Sequence, residues 1–284
     1  MIRVQAPAKI NLYLHVTGKR DDGYHLLDSL MAFAECGDVI EVEAASDLSL
    51  SISGPFAEGL PTGPDNLVMQ AAEKIRQFAG GATGARIKLQ KNLPVASGIG
   101  GGSADAAAVM KALCQLWEVA PAEGDLMALA LSLGADVPIC LTGKAAFVSG
   151  IGEIITPVSD LPTVPMVLVN PGVAVSTPSI FKARQGGFSN PNPFTEISQT
   201  TQQLIECVSV RSNDLMAPAI QVASVIGEVI EGLSECNGIL LSRMSGSGAT
   251  CFGLFDTQQD AQQAARSLKS NNPGWWVEQT ELFG

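Results

Sequence analysis

The sequence has few basic residues, few aromatic residues and few histidines. Its 284 residues include 17 lysines and arginines against 28 aspartates and glutamates, 5% aromatic residues and 2 histidines. The resulting formal charge of −11 argues against nucleic acid as a partner, because binding a phosphate backbone requires a basic surface. A small polyanionic ligand can still bind where positive charge is concentrated locally.

The sequence also has no C-x-x-C pair and no long apolar run. Its longest apolar stretch, residues 126–141, is interrupted by polar and turn-forming residues and is shorter than the ~20 residues that a membrane-spanning helix needs. The first residues carry no apolar signal region. The six scattered cysteines predict reduced thiols, not a disulfide framework or a zinc site. We therefore expect a cytoplasmic enzyme or binding protein with no membrane partner.

Two familiar phosphate-binding motifs are missing, but another glycine-rich segment is present. There is no G-x-x-x-x-G-K-[ST], and G-x-G-x-x-G fails because Ser103 stands where the third glycine should be. Four glycines occupy five positions from Gly98 to Gly102, and alanine-rich sequence follows to Trp117. This pattern predicts a loop feeding a helix whose N-terminal N–H groups and dipole suit nucleotide phosphates. The alternative is a structural turn in which Ser103 only caps the helix.

Near the N-terminus, apolar and other residues alternate from Ala8 to Val16. The alternation predicts a strand with one buried face and one polar face, and the polar face begins with Lys9 and Asn11. Such a face usually meets solvent, so by itself it does not establish a site. A turn then delivers Tyr24 and His25 beside basic residues, which taken alone indicates loop packing.

Asp136 stands out as a carboxylate inside an apolar run, between Gly134 and Pro138. A buried carboxylate is costly without a cation or hydrogen-bond donors. Asp136 therefore either caps a local turn or is held there for chemistry, and its position leaves both interpretations open.

The remaining patterns predict a mixture of strands and helices. In the first half we expect strands at 39–43, 48–53 and 85–90, helices at 66–78 and 125–133, and a hairpin of strands 145–149 and 153–157. In the second half we expect strands at 164–170, 239–243, 250–255 and 275–280, an irregular stretch to Phe194, and helices at 197–208, 218–233 and 258–268. With one helix set aside, the second half follows the β-α-β-β-α-β order of ferredoxin-like domains. These patterns predict an α+β protein of two domains, 1–158 and 159–284, with the boundary near Asp160.

Five segments, in order, resemble the motifs of the GHMP kinases. They are Ala6–Leu12, Arg20–His25, Pro94–Ala108, Gly134–Pro138 and Met244–Thr250. Within that superfamily the first two are similar to the family that phosphorylates a diphosphocytidyl-linked methylerythritol in non-mevalonate isoprenoid synthesis, and the resemblance covers essentially the whole chain. It implies an N-terminal domain of ribosomal-protein-S5-like fold and a ferredoxin-like C-terminal domain.

The resemblance also implies an activity and its residues. ATP, with Mg²⁺, would phosphorylate the 2-hydroxyl of the cytidine diphosphate-linked polyol, in a monomer or homodimer. Asp136 would be the catalytic base and Lys9 the cation beside it. The ATP-binding residues would be Asn66, Lys91, Pro94, Ser97, Gly98, Ile99, Gly100, Gly101, Gly102, Ser103 and Ala104. The substrate-binding residues would be Asn11, Tyr24, His25, Ile151, Thr177 and Phe181, with the aromatic rings stacking on the cytosine.

The sequence departs from the family pattern at two positions of the glycine loop. Ala104 replaces a serine that many members have, and Ala96 stands where glycine is frequent. The Mg²⁺ ligands are left open, because Ser103 and Asp105 could contribute but an aspartate in the first helical turn is also explained by the helix dipole.

Three other functions compete with this interpretation. The first is a GHMP kinase for homoserine or mevalonate, which Tyr24, His25 and Phe181 disfavour because those substrates have no base to stack on. The second is a related diphosphomevalonate decarboxylase, which would release carbon dioxide with ADP. The third is a nucleotide-binding regulator without catalytic activity.

Overall fold

The computed structural model describes residues 1–81, 83–158, 161–192 and 200–284. These residues mix helices and strands, which confirms the predicted α+β class. By their contacts they form two compact units. The first unit comprises residues 1–8, 37–95 and 100–143, and the second comprises residues 9–36, 96–99 and 144–284. The predicted boundary near Asp160 lies outside the described residues, so the division at residue 158 stays a prediction.

The first unit contains a small sheet and four helices among its described residues. Strands β1 (Ile2–Lys19) and β2 (His25–Ala45) begin the chain, and residues 39–45 of β2 pair antiparallel with β4 (Gly84–Gln90). Strand β3 (Ser49–Ser53) pairs with β4 in parallel. The helices are α1 (Leu67–Phe78), α2 (Gly101–Leu116), α3 (Glu123–Leu131) and α4 (Val137–Thr142).

The second unit holds the remaining elements. Its strands are β5 (Ala146–Gly150), β6 (Ile154–Pro157), β7 (Val164–Asn170), β8 (Ile239–Met244), β9 (Cys251–Phe255) and β10 (Trp276–Phe283). Its helices are α5 (Thr177–Ala183), α6 (Thr201–Ser209), α7 (Met216–Val222), α8 (Val225–Ser234) and α9 (Gln258–Asn271).

The strand order of the second unit confirms the ferredoxin-like prediction. Strands β10, β7, β9 and β8 lie side by side in that order, and each neighbouring pair is antiparallel. Strand β10 also pairs with β2 at Leu282 and Ala34, while β5 pairs with residues 27–31 of β2 and with β6. Helix α8 buries Ile226, Val229 and Leu233 at helical spacing in an apolar core with β7, β9 and α9.

The secondary structure differs from the prediction in three places. Residues 137–142 form helix α4, for which no element was predicted, and its proline lies in the first helical turn, where proline is tolerated. Helix α5 lies in a stretch expected to be irregular, and its proline is again in the first turn. The single helix expected at 218–233 is two helices, since Ala223 is extended between them (φ −142°, ψ 91°). The start expected for α6, at Ile197, lies outside the described residues.

The predicted strand from Ala8 to Val16 is part of β1, but its polar face does not meet solvent. Lys9 is 3% exposed and Asn11 is 1% exposed, and Tyr13 and His15 are also buried. A buried lysine requires acceptors that replace water. The polar side chains of this strand therefore lie in the interior, where hydrogen bonds replace their contacts with water.

Among the described residues, no helix is long and apolar enough to cross a membrane.

The C-terminal end of α2 generates a prediction on stability. Glu118 follows the C-cap Trp117 in a left-handed conformation (φ +53°). The N–H of Val119 donates to Cys114 O at 3.0 Å, as in the Schellman motif that usually places glycine at the position of Glu118. We expect Glu118→Gly to raise the free energy of unfolding by about 0.5–1 kcal/mol in urea denaturation, because relief of the left-handed strain outweighs the added chain entropy.

A matched control is Gln115→Gly, at an exposed helical position one turn earlier. This change should lower the free energy of unfolding by about 1 kcal/mol. Destabilisation by both glycines would contradict the account of the helix end.

Candidate functional site

The glycine loop does feed a helix, as its pattern predicted. Gly100 is the N-cap of α2 in a left-handed conformation (φ +64°), and its side-chain-free backbone begins the helix. Ser103 is the third helical residue and makes no capping hydrogen bond, so the interpretation of Ser103 as a cap was wrong. The first N–H groups of a helix have no partner within it. Residues Gly101, Gly102 and Ser103 therefore present the backbone donors expected of an anion-binding helix start.

Two positions before the helix show why small residues are needed. Gly98 has φ +78°, and a Cβ there would lie 2.5 Å from Ser245 O. Ala96 is also left-handed (φ +50°), a conformation that costs roughly 1–2 kcal/mol for a residue with a side chain. This backbone explains why a glycine would be preferred at position 96.

A second glycine turn, formed by residues 245–250 between β8 and β9, also makes hydrogen bonds to other segments. Thr250 N donates to Ser97 O at 3.0 Å, and Ser245 Oγ donates to Gly98 O at 3.1 Å. Ser245 also accepts a hydrogen bond from Asn11 N at 3.1 Å. The turn therefore joins residues 97–98 of the loop to β1.

Lys9 and Asn11 lie together within the second unit. Lys9 Nζ donates to Asn11 Oδ1 at 2.7 Å, and Lys9 N donates to Ile99 O at 2.9 Å. Asn11 Nδ2 donates to Ser29 Oγ at 2.9 Å. The ammonium is thus oriented by an amide oxygen, while the backbone of the same residue is bonded to the glycine loop.

The aromatic residues expected to bind a base come partly together. The rings of His25 and Phe181 stack with centroids 4.6 Å apart and an interplanar angle of 20°. Tyr24 precedes His25 and is 60% exposed. Partial burial, with positive charge from Lys19 and Arg184, lowers the pKa of His25. A neutral imidazole at neutral pH offers one donor and one acceptor.

The other two substrate candidates are also in the second unit. Thr177 Oγ1 lies 2.7 Å from Ser247 Oγ, which links the start of α5 to the second glycine turn. The N–H of Ile151 donates to Glu153 Oε2 at 2.5 Å within the hairpin of β5 and β6.

Asp136 lies in the first unit, immediately before α4. It is half-buried and its backbone is nearly helical (φ −86°, ψ −10°). Although it occupies the N-cap position, its side chain makes no capping hydrogen bond. Capping of α4 therefore does not explain this carboxylate.

A buried charge cluster in the first unit involves a residue that sequence reasoning missed. Lys91 Nζ lies 2.5 Å from Asp38 Oδ2 and 2.6 Å from Asp105 Oδ2. Asp38 Oδ1 accepts from the N–H groups of Asn92 and Leu93 at 2.6 and 2.8 Å. Asp38 follows a glycine inside an apolar strand, so the reasoning applied to Asp136 could have identified it. The ammonium of Lys91 is committed to two carboxylates, and its nearness to a nucleotide stays a prediction.

Asp105 is the fifth residue of α2, so its expected place in the first helical turn was wrong. Its Oδ1 is buried without a hydrogen-bond partner. Burial raises the pKa of Asp105 to about 7, with Asp38 adding to the rise and Lys91 opposing it. Burial disfavours the charge of Lys91, but the two carboxylates outweigh that effect and raise its pKa.

Asn66 caps α1. Its Oδ1 accepts from Val68 N at 2.8 Å, and its Nδ2 donates to Pro61 O at 2.8 Å. Both the oxygen and the nitrogen of this side-chain amide thus have structural partners. The position of Asn66 near a nucleotide stays a prediction.

Two family models match the chain. The model described as GHMP kinases N terminal domain matches residues 66–144, and the model described as GHMP kinases C terminal matches residues 210–274. The 4-diphosphocytidyl-2-C-methyl-D-erythritol kinase of Paramagnetospirillum magneticum is 50% identical over 280 residues, which cover 99% of this chain and 98% of that protein. The protein of the same name from Rhodospirillum rubrum is 49% identical, covering 98% and 92%.

Solved structures agree with these matches. A crystal structure of 4-(cytidine 5'-diphospho)-2C-methyl-D-erythritol kinase superposes with a TM-score of 0.81 at 35% identity, covering 100% of both chains. This match supports the predicted pair of domain folds. Homoserine kinase from Cytophaga hutchinsonii has a TM-score of 0.75 at 18% identity, covering 98% of this chain and 94% of that one. The second likeness shows the fold alone.

The charge cluster generates a prediction on pH. Folded Asp105 retains its proton up to about pH 7, whereas the unfolded chain releases it near pH 3.8. The folded state therefore binds more protons between these values, and its stability from this group falls as pH rises. We expect the free energy of unfolding, measured by urea denaturation between about pH 4 and pH 8, to decline less steeply with pH for Asp105→Asn than for the wild type.

Asp65→Asn is the control, since Asp65 is an exposed carboxylate of the same unit. Its pH dependence should follow that of the wild type. If Asp105→Asn also ran parallel to the wild type, the raised pKa of Asp105 would be refuted.

Proposed function

Because the chain belongs to the GHMP kinase family, together with its 4-diphosphocytidyl-2-C-methyl-D-erythritol kinase relatives, we propose that it transfers the γ-phosphoryl group of ATP to the 2-hydroxyl of that diphosphocytidyl polyol. One observation carries the proposal. A buried ammonium, Lys9, is oriented by Asn11 while its own backbone is bonded to Ile99 of the glycine loop. The strand that carries the cation thus also positions part of the phosphate-binding segment.

In this proposal, Asp136 and Lys9 act on one hydroxyl group. An alcohol is a weak nucleophile at neutral pH, and a positioned carboxylate that takes its proton contributes about 10²- to 10⁴-fold to the rate. Lys9 stabilises the negative charge that builds up as the phosphoryl group moves. Most of the remaining acceleration comes from alignment and from neutralising phosphate charge. The proton of the hydroxyl ends on Asp136, and ADP is the leaving group.

The glycine loop holds the phosphates of ATP. The N–H groups of the first turn of α2 supply donors, and the helix dipole favours an anion there. The predicted ATP contacts at Pro94 and at residues 97–104 fit this role. The side chains of Asn66 and Lys91 already have structural partners. In this proposal the two residues therefore lie near the nucleotide without holding it through their side chains.

The cytosine base lies against the aromatic residues. His25 covers one face of Phe181, and its lowered pKa leaves a neutral imidazole that can read a hydrogen-bonding edge. The exposed ring of Tyr24 is available to stack on the base. Asn11, Thr177 and Ile151 contact the polyol and its diphosphate.

Magnesium is part of the proposal, but the carboxylates of the described residues do not form a cage for it. Among residues 1–81, 83–158, 161–192 and 200–284, no group of three or more His, Cys, Asp and Glu side chains could hold a metal ion. Asp105 is already paired with Lys91, so it does not fit as a primary ligand. Mg²⁺ commonly rests on substrate phosphates and keeps several waters. We infer that it arrives on ATP, where it neutralises phosphate charge.

We also infer that the protein works in the cytoplasm. The six cysteines, which all lie in the described residues, are not joined in disulfides, which suits a reducing compartment.

The direct experiment is ADP release by the purified protein with ATP and each of three alcohols. We expect turnover with the diphosphocytidyl polyol and less than about a hundredth of that kcat/KM with homoserine or mevalonate, since those alcohols leave the base pocket empty. Equal or faster turnover of homoserine or mevalonate would contradict the proposed substrate. Release of carbon dioxide with ADP would instead indicate a decarboxylase.

Replacing the base tests the assigned chemistry. We expect Asp136→Asn to lower kcat by at least about 100-fold, because the amide cannot accept the proton of the hydroxyl. Thermal unfolding and ATP binding should remain near those of the wild type. Asp125→Asn, which changes an exposed carboxylate of α3, is the matched control and should retain full activity. If Asp136→Asn kept more than about a tenth of the rate, Asp136 would not be the base.

A further inference from the structure

The buried hydroxyl of Ser29 lies at the far end of the hydrogen bonds that lead to Lys9. Ser29 is 0% exposed in β2. Its Oγ donates to Tyr13 O at 2.5 Å and accepts from Asn11 Nδ2 at 2.9 Å. Asn11 Oδ1 in turn accepts from Lys9 Nζ at 2.7 Å. Three buried side chains therefore form one continuous chain of hydrogen bonds.

The direction of each bond follows from what the groups can donate. A carbonyl oxygen only accepts, so the hydroxyl hydrogen of Ser29 goes to Tyr13 and its lone pairs accept from Asn11. An ammonium only donates, so the bond between Lys9 and Asn11 requires the amide oxygen. Ser29 and Lys9 thus both require the same orientation of the Asn11 amide.

We propose that Ser29 is a positioning residue for phosphoryl transfer, because by holding the amide nitrogen of Asn11 it keeps the amide oxygen on the ammonium of Lys9. Without the hydroxyl, the buried Asn11 NH₂ group loses an acceptor. The amide is then held less firmly, and its oxygen can move away from the ammonium of Lys9. The functional part of this inference rests on the role proposed for Lys9, whereas the orientation of the amide does not.

The kinetic test is a double-mutant cycle. We expect Ser29→Ala to lower kcat about 10-fold while KM for ATP changes by less than about twofold. In an Asn11→Ala background, adding Ser29→Ala should cost less than about twofold further, since the residue through which Ser29 acts is gone. Independent losses that multiply would overturn the proposal.

A buried hydroxyl outside this chain of bonds provides the matched control. Thr280 is 5% exposed, and its Oγ1 accepts from Cys36 N at 3.0 Å. We expect Thr280→Val to leave kcat and KM within about twofold of the wild type at an unchanged fold. A 10-fold loss of kcat in this variant as well would mean that any buried hydroxyl of the unit has the effect, which would overturn the specific role of Ser29.

A spectroscopic readout separates this inference from the proposed function. The side-chain NH₂ signal of Asn11, assigned by its loss in Asn11→Ala, is followed by ¹⁵N NMR in the protein without substrate. We expect its hydrogen-bonded proton to exchange with water at least about 10-fold faster in Ser29→Ala than in the wild type. Unchanged exchange would overturn the proposed orientation even if the enzyme were active.

The two results together leave no ambiguous case. Faster exchange with an unchanged kcat in an active enzyme would overturn the positioning role. If the wild type phosphorylated no alcohol tested, the proposed function would fail, while the exchange rates would still decide the orientation of the amide.

Discussion

A lysine ammonium buried beside the glycine loop is the constraint on which the second unit depends. Removing such a charge from water is costly unless acceptors replace the lost solvent. Lys9 is 3% exposed and gains the amide oxygen of Asn11. The same strand bonds to the loop through Lys9 N and, by way of Ser245, to Gly98. The positions of the cation and of loop residues 97–99 are consequently set by one network.

The first unit buries a second ammonium, with a different result. Lys91 lies between Asp38 and Asp105, so two carboxylates face one cation and the cluster carries an excess of negative charge. The raised pKa of Asp105 relieves part of that excess by retaining a proton. A Cβ on Gly101 would lie 3.1 Å from Lys91 Nζ, so the cluster packs closely against the first turn of α2. In the first unit a buried lysine thus pairs with two carboxylates, while in the second a buried lysine is proposed to act on the substrate.

Much of this arrangement could be predicted from the sequence. The parts that could not be predicted share one cause, which is their dependence on tertiary contacts. Alternation and turn residues identified the strands of the ferredoxin-like unit, since these are local signals. The glycine loop was identifiable because few structures need four glycines in five positions. Burial of the polar face of β1 could not be predicted, because one strand does not reveal which side is covered. The cluster of Lys91, Asp38 and Asp105 depends on contacts between residues up to 53 positions apart.

The central proposal is that Lys9 and Asp136 act on the same hydroxyl group. The most direct measurement is a crystal structure with the diphosphocytidyl polyol and a non-hydrolysable ATP analogue bound together. The account predicts an Asp136 carboxylate oxygen within about 3.2 Å of the 2-hydroxyl oxygen, with Lys9 Nζ at a similar distance from that oxygen or from the γ-phosphate. A 2-hydroxyl that contacts neither side chain, with the γ-phosphate in line for attack by another group, would contradict it.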